Sequence, residues 1–367
     1  MWRRLLREIA VPSLAILSAL LISVPIVGVA TKWDWSRLAA AYGGLIDGAL
    51  LKPNAFTNTL VSTTPLILTG LAVALGFRTG LFNIGGSGQF LVGAAAGVFV
   101  GYAIPMPPVI HAVVALAAGA LAGALWAAIP GYLKARLGSH EVINTIMMNY
   151  LAFFLTDWLI KGPMKDPLPS NVRTPNILPS AELGRIFAAF DSNDRLHWGF
   201  VLAILAAIVV WWLLWKTTIG FELRTVGSNP SAARYAGIRP ALMTVLAMAL
   251  SGGLAGLAGI VQVLGLDHNM PALFSSDFGF DGITVALLGQ VHPFGVIPAA
   301  LLLGFLRNGS DLMQIRSGGL VSKEVIFIVQ GLILLFIAAP YIIRWLYRLK
   351  IGKTAIEGAT LTTGWGK

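Results

Sequence analysis

Ala112-Val-Val-Ala-Leu-Ala-Ala-Gly-Ala-Leu-Ala-Gly-Ala-Leu-Trp-Ala-Ala-Ile-Pro-Gly131 holds twenty residues without one charged side chain. Coiled as an α-helix at about 1.5 Å per residue, such a run is about 30 Å long, the hydrocarbon thickness of a bilayer. It lies inside an apolar stretch at about 109–131. Nine others stand at about 9–30, 57–77, 84–104, 141–160, 198–215, 241–265, 279–291, 293–306 and 323–343. The pattern predicts an all-α polytopic membrane protein of about ten transmembrane helices, folded as one transmembrane domain over 1–367. Composition agrees: 56% of the residues are hydrophobic and only 11% charged, against about 25% charged in soluble domains. The first run follows Arg3, Arg4 and Arg7 and stays apolar for about 22 residues, longer than the core of a signal peptide, about 7–15 residues. It reads as an uncleaved first span, although Gly28-Val29-Ala30 leaves a cleavage reading open. The runs 279–291 and 293–306 are short and separated by His292-Pro293. They read as two tilted short helices, or as a re-entrant hairpin plus a span.

The formal charge is +10, which in a soluble protein would suggest an acidic partner. Lys and Arg favour the cytoplasmic side of a membrane, so topology is the first explanation to test. With the N-terminus inside and ten crossings, the C-terminus is also inside, and fifteen of the 26 Lys and Arg fall there with four of the 16 acids. The net charge is then +11 inside and −1 outside. The inner fifteen include Arg344, Arg348, Lys350, Lys353 and Lys367 near the C-terminus. Topology in the membrane accounts for the basic balance, with lipid as the surrounding partner, and no nucleic-acid partner is needed.

Two loops are long. The extracytoplasmic loop 161–197 carries Pro163, Pro167, Pro169, Pro175 and Pro179, which favour extended backbone, with a short surface helix expected at Ala181–Phe190. The cytoplasmic loop 216–240 contains Gly227-Ser228-Asn229-Pro230. Asn229 or Ser228 can cap a helix with Pro230 in its first turn, and Gly237 can end it before Pro240. That gives about two turns with an Ala-rich face at Ala232, Ala233 and Ala236. Within the spans, Gly93, Gly97 and Gly101 recur at four-residue spacing, as do Gly119 with Gly123 and Gly252 with Gly256. In lipid, such small residues let helix backbones approach closely. Spans two to four and seven to nine share a plan: a Gly-rich helix, a break containing Gly and Phe, then an apolar span. Five crossings separate the two sets, so they would form an inverted internal repeat of the kind found in transporters.

The chain has no cysteine, which excludes disulfides and thiolate chemistry. Gly352-Lys353-Thr354 ends like a phosphate-binding loop, but Tyr347 occupies the position of the first glycine. This chain therefore hydrolyses no nucleotide itself. The ionisable candidates for an ion-driven transporter are Glu141, Asp157, Asp281 and His292. Glu141 suits a helix N-terminus, and Asp157 and His292 lie at span ends. Asp281, between Phe280 and Gly282, is the hardest to explain structurally. No relay of carboxylates and no enzyme-like cluster emerges. Uncharged polar residues are commoner in the spans, among them Asn83, Gln89, Asn144, Asn149, Gln262 and Gln290. Each can serve as interhelical glue; together they suit a path for a neutral, hydrogen-bonding solute. Asn144 and Asn149 are five residues apart, about 140° around a helix, and do not share a face.

The run Gly80-Leu81-Phe82-Asn83-Ile84-Gly85-Gly86-Ser87-Gly88-Gln89 resembles a signature of permease subunits of bacterial ABC importers. The branch is the nucleoside and simple-sugar one of the branched-chain amino acid/ribose-type permeases. Four more stretches agree, in order: Glu141–Tyr150, Gly162–Pro167, Gly227–Ile238 and Gly279–Gly289. Ser87 departs from the pattern, which often has Glu there, and no role is carried to it. The resemblance implies a permease domain without a bound cofactor, in the bacterial cytoplasmic (inner) membrane, paired with a second permease as homo- or heterodimer. Cytosolic ABC ATPase subunits would use ATP and dock on Gly227, Asn229, Pro230, Ala232, Ala233, Ala236 and Gly237. An extracytoplasmic substrate-binding protein would deliver the solute. The expected function is import of nucleosides by alternating access, with ribose or another simple sugar as the alternative substrate and an ion-driven secondary transporter as the other class. Segments 80–89 and 279–292 are the expected pathway walls, with Asn83, Gln89, Asn144, Asn149, Asp281 and Gln290 as pathway residues.

Overall fold

The computed structural model describes residues 2–167, 172–191, 193–274 and 277–338. Among them every extended element is helical, apart from two isolated bridges, Arg173 with Pro271 and Arg185 with His197. In chain order the helices are α1 (Trp2–Ala30), α2 (Trp35–Ile46), α3 (Ala55–Arg78), α4 (Gly86–Ala103), α5 (Ile110–Leu137) and α6 (Glu141–Lys161). Then follow α7 (Gly199–Lys216), α8 (Thr218–Ser228), α9 (Pro230–Tyr235), α10 (Pro240–Gln262), α11 (Asp277–Leu288), α12 (Pro293–Arg316) and α13 (Val325–Ala338). A π-helical turn, Val263–Asp267, extends α10. Seven of the described helices, in α1, α3–α7 and α10, are long and apolar enough to cross a membrane. The basic C-terminal residues from Arg344 to Lys367, Gly352-Lys353-Thr354, Pro169 and the last part of the 323–343 run lie outside the described residues.

The chain forms two compact units, Ile46–Gly309 and a second made of the segments on either side of it. In the second unit, Ser23 and Tyr42 share a hydrogen bond of 2.8 Å between α1 and α2, and Gly44 packs on the backbone of Leu312 and Met313. Helix α2 falls in what the hydropathy pattern reads as outer loop. Its start is capped by Asp34, whose Oδ1 accepts from the Ser36 N–H at 2.9 Å.

The core of the larger unit is built where α4, α5 and α10 cross. Gly93 of α4 and Gly123 of α5 both lie against the backbone of Gly256, and Gly252 faces Gly123 and Ala127. With no side chains between them, three helix axes come close enough for dispersion along their backbones. The four-residue glycine spacing thus does the packing expected of it. Helix α3, buried along most of its length, runs beside α10 and α11. The outward faces of α5 and α6 are apolar and exposed, as at Leu125, Phe154 and Trp158, which suits contact with lipid.

Three local expectations are corrected. The helix expected at Ala181–Phe190 is a 3₁₀ turn at Pro179–Ala181 followed by irregular turns. Its backbone is drawn instead into pairing with the loop's far end, Ile186 N–H to Leu196 O at 2.7 Å. The run 293–306 continues as helix to Arg316: Arg307 and Asn308 interrupt the hydropathy but not the helix, since Arg307 pairs with Asp281 and Asn308 Nδ2 donates to the Gly48 and Ala55 carbonyls at 2.9 and 3.0 Å. The inner loop holds two helices rather than one, because Thr217 caps an extra helix, α8, accepting from the Gly220 N–H at 3.0 Å.

Candidate functional site

Two breaks position the site. After α3, Gly80 turns the chain in the left-handed region at φ +72°, and residues 81–85 run non-helically to the start of α4. After the π turn, residues 268–274 run non-helically toward the start of α11. The two starts meet: Gly279 lies directly against the Ser87 backbone, so close that no Cβ fits there. Helix α11 has only 12 residues, about 18 Å at 1.5 Å each. Along it Gly282 packs on Thr69 and Val285 on Gly70, partway up α3. Each break thus brings a helix start into the interior of the unit.

Asn83 organises the first break. Its Oδ1 accepts from the Gly85 N–H and from Gln89 Nε2, both at 2.9 Å. Its Nδ2 donates to Gln89 Oε1 and to Ser251 Oγ, also at 2.9 Å. Ser251 donates onward to the Ala72 carbonyl at 2.7 Å. Asn83, Gln89 and Ser251 are all buried, so this network ties α3, the break, α4 and α10 together. Asn149 reaches the same place from α6, accepting from Gly88 N–H at 2.8 Å and donating to Ile84 O at 3.0 Å. Asn144 faces elsewhere and donates to Ser139 Oγ at 2.7 Å, as its angular separation from Asn149 requires. No local signal marks Ser251, a hydroxyl beside Gly252 and Gly253 in a small-residue helix.

At the second break, Asp281 faces Arg307 of α12, with Nη1 at 3.4 Å from Oδ2. The Arg307 guanidinium lies 4.1 Å from the centroid of Phe278, and that ring stacks on Phe90 at 5.7 Å. The membrane-segment acid that resisted a bland reading therefore has a counter-ion, one the run 293–306 leaves just outside the span. Glu141 and Asp157 pair with Lys134 and Lys161, each at 2.6 Å. Gln290 lies away from these groups, in the turn after α11, where Gln290 and Val291 both have positive φ. Their carbonyls receive Arg78.

Helix α9, in the loop 216–240, forms as its sequence predicts. Asn229 Oδ1 accepts from the Ser231 and Ala232 N–H groups, both at 3.0 Å. Pro230 opens the helix, and Gly237, at φ +81°, closes it. The alanines do not share one face. Ala233 is fully buried with Leu223, Val226 and Met243, while Ala232 and Ala236 are exposed. Tyr235, which no sequence motif marks, is 96% exposed. Gly227, at the end of α8, packs on the Thr79–Gly80 backbone.

Loop residues 172–183 strap the end of α10, with Ile177 N–H bonding His268 O at 2.8 Å and Leu183 N–H bonding Leu264 O at 2.9 Å. His197 is buried against Gly265 and accepts from the Gly199 N–H at 3.1 Å. Burial, and secondarily the neighbouring His268, lower its pKa to about 4. Among the described residues no cluster of His, Asp and Glu could hold a metal ion.

The family described as "Branched-chain amino acid transport system / permease component" matches residues 55–338. The chain is 44% identical to the guanosine ABC transporter permease protein NupP of Bacillus subtilis, over 88% of this chain and 90% of that one. It is 35% identical to the nucleoside ABC transporter permease protein NupB of Lactococcus lactis, over 92% and 93% of the two chains. It is 32% identical to the glucose ABC transporter permease protein TsgB13 of Haloferax volcanii, over 81% and 79%. No solved structure matches.

Proposed function

Because the chain belongs to the family of branched-chain amino acid transport system permease components, we propose that it is the permease subunit of an ATP-driven importer whose substrate is a nucleoside. The observation that carries the substrate is the 44% identity to a guanosine permease along 88% of the chain. A glucose permease is more distant at 32%, so a sugar is the second choice.

The chain brings no nucleotide-binding loop, and hydrolysis falls to separate ATPase subunits. In this reading they dock on the exposed side of α9, at Pro230, Ala232, Ala236 and the protruding Tyr235, while Asn229 and Gly237 fix its ends and Ala233 anchors it to the bundle. The protein sits in the bacterial inner membrane beside a second permease, and an extracytoplasmic binding protein delivers solute to the outer face. Ten crossings with both ends cytoplasmic follow if the segment 268–274 and α11 together make one crossing, half non-helical and half helical, and α12 makes the next. Discontinuous helices meeting inside the membrane are how transporters bring backbone polar groups to a solute, and two such breaks in corresponding positions support the inverted-repeat reading.

The pathway runs where the starts of α4 and α11 meet. Asn83, Gln89 and Asn149 hold its wall in shape, since their amides bond one another and the backbone. Asp281 with Arg307 lies along it, and Asn144 and Gln290 belong to its inner mouth. ATP binding closes the ATPase pair, α8 and α9 shift, and the paired permeases change which side is open. Purification should yield this chain together with an ATPase subunit, and the cognate binding protein should retain a nucleoside. A binding protein that retains only a free sugar would refute the substrate assignment.

A further inference from the structure

We propose that Arg78 is the positioning residue that transmits movement of α8 and α9 to α11; the inference rests on the permease reading above. Four observations meet at this residue. Arg78 ends α3, and its Nε donates to the Val291 carbonyl at 2.7 Å while Nη2 donates to Gln290 O at 3.4 Å. Those carbonyls belong to the turn at the foot of α11, where Gln290 and Val291 adopt φ +54° and +53°. Two successive left-handed residues without glycine, one of them β-branched, form a disfavoured turn that its surroundings must hold.

The guanidinium of Arg78 also lies 5.5 Å from the Trp215 ring, and Arg224 of α8 lies 5.9 Å from the same ring. Neither arginine has a carboxylate within ion-pair distance among the described residues. Two cations sharing one indole repel, so Arg78 is held here by the turn carbonyls and the ring rather than by a counter-charge. One residue beyond Thr79, Gly80 lies against Gly227, the penultimate residue of α8; a Cβ on Gly227 would sit 2.7 Å from Gly80 N. Helix α8 thus grips the end of α3 through backbone contact, while Arg78 and Arg224 both lie at the Trp215 indole of α7. A shift of α8 carries Thr79, Gly80 and Arg78 with it. Arg78 then pulls the turn, and the far end of α11 lies against the start of α4.

The test uses the whole importer, permease pair with ATPase and binding protein, in proteoliposomes, measuring solute taken up per ATP hydrolysed. Arg78→Ala should keep ATP hydrolysis but lower uptake per ATP about ten-fold, as loss of charge-assisted hydrogen bonds implies. Arg78→Lys, which keeps the charge without the planar fork, should lower it about three-fold. Val291→Gly relieves the disfavoured φ, so it separates transmission from mere support. If Arg78 transmits, the Arg78→Ala/Val291→Gly double variant stays uncoupled. Recovery of coupling in the double variant, or normal coupling in Arg78→Ala or Arg78→Lys, would overturn the proposal. No ATP-driven uptake by the unmodified importer would instead overturn the permease reading.

Discussion

Replacing Asn83 by Leu removes four hydrogen bonds at once, two with the Gln89 amide, one with Ser251 and one from the Gly85 N–H. Hydrogen bonds inside membrane proteins average about 0.6 kcal/mol each, which gives about 2.4 kcal/mol. The same loss can be counted from what is stranded. Both ends of the Gln89 amide, a residue only 1% exposed, and the Gly85 N–H lose partners, at about 1 kcal/mol or more apiece. Ser251 keeps its bond to Ala72 O. The two counts agree, so Asn83→Leu should destabilise the bundle by about 2–3 kcal/mol. Gln89→Leu should cost less, since it removes only two bonds. The informative variant is the double one: with both amides gone, most of the stranded groups are gone too. The double variant should therefore be more stable than the summed single costs imply, by about 1–2 kcal/mol. Equilibrium unfolding in mixed micelles, followed by tryptophan fluorescence, measures all three. Additive costs would refute the reciprocal amide pair as the junction between the first break and α4.

Other outcomes follow from the same geometry. Ala232→Trp, on the exposed side of α9, should abolish co-purification of the ATPase while leaving thermal stability unchanged. Ala233→Trp enters the cluster of Leu223, Val226 and Met243 and should lower the melting temperature instead; equal behaviour of the two would contradict the orientation of α9. Gly256→Ala would set a Cβ 2.9 Å from Gly123 Cα, and overpacking of this kind costs about 1–3 kcal/mol, readable as a lowered unfolding midpoint. His197 stays neutral in the folded protein down to about pH 4, whereas unfolded His binds its proton near pH 6.5. Acidification from pH 6.5 therefore favours the unfolded chain, by about 2 kcal/mol at pH 5. His197→Asn should flatten that part of the stability profile, and an unchanged slope would refute the assignment to His197.

What local sequence encodes and what it leaves out can be seen element by element. Asn229, Pro230 and Gly237 act within a few residues of themselves, and α9 forms where they place it. Which alanine of α9 turns inward depends on Met243 and Leu223, partners on other helices, and no local rule supplies that. The glycine spacing announced close helix packing, while the choice of α4, α5 and α10 as partners arises only in three dimensions. Hydropathy stopped the 293–306 run before Arg307 because the charge is local and its partner Asp281 lies 26 residues away. The pathway candidates share this limit. Asn83 and Gln89 stand out as polar residues in apolar surroundings only six apart, yet the bond that ties Asn83 to Ser251 closes over 168 residues. Arg78 was visible only as an inner-side charge. Its bonds to Gln290 and Val291 span more than 200 residues.

In the proposed function this chain carries nucleosides inward at the expense of ATP hydrolysed by a partner. Proteoliposomes holding the permease with its ATPase, supplied with the binding protein and radiolabelled guanosine, test it most directly. Uptake should require ATP on the ATPase side, persist without any ion gradient, and be displaced by unlabelled nucleoside but not by ribose or glucose. Uptake driven by an ion gradient without ATP, or displaced by the sugar alone, would contradict it.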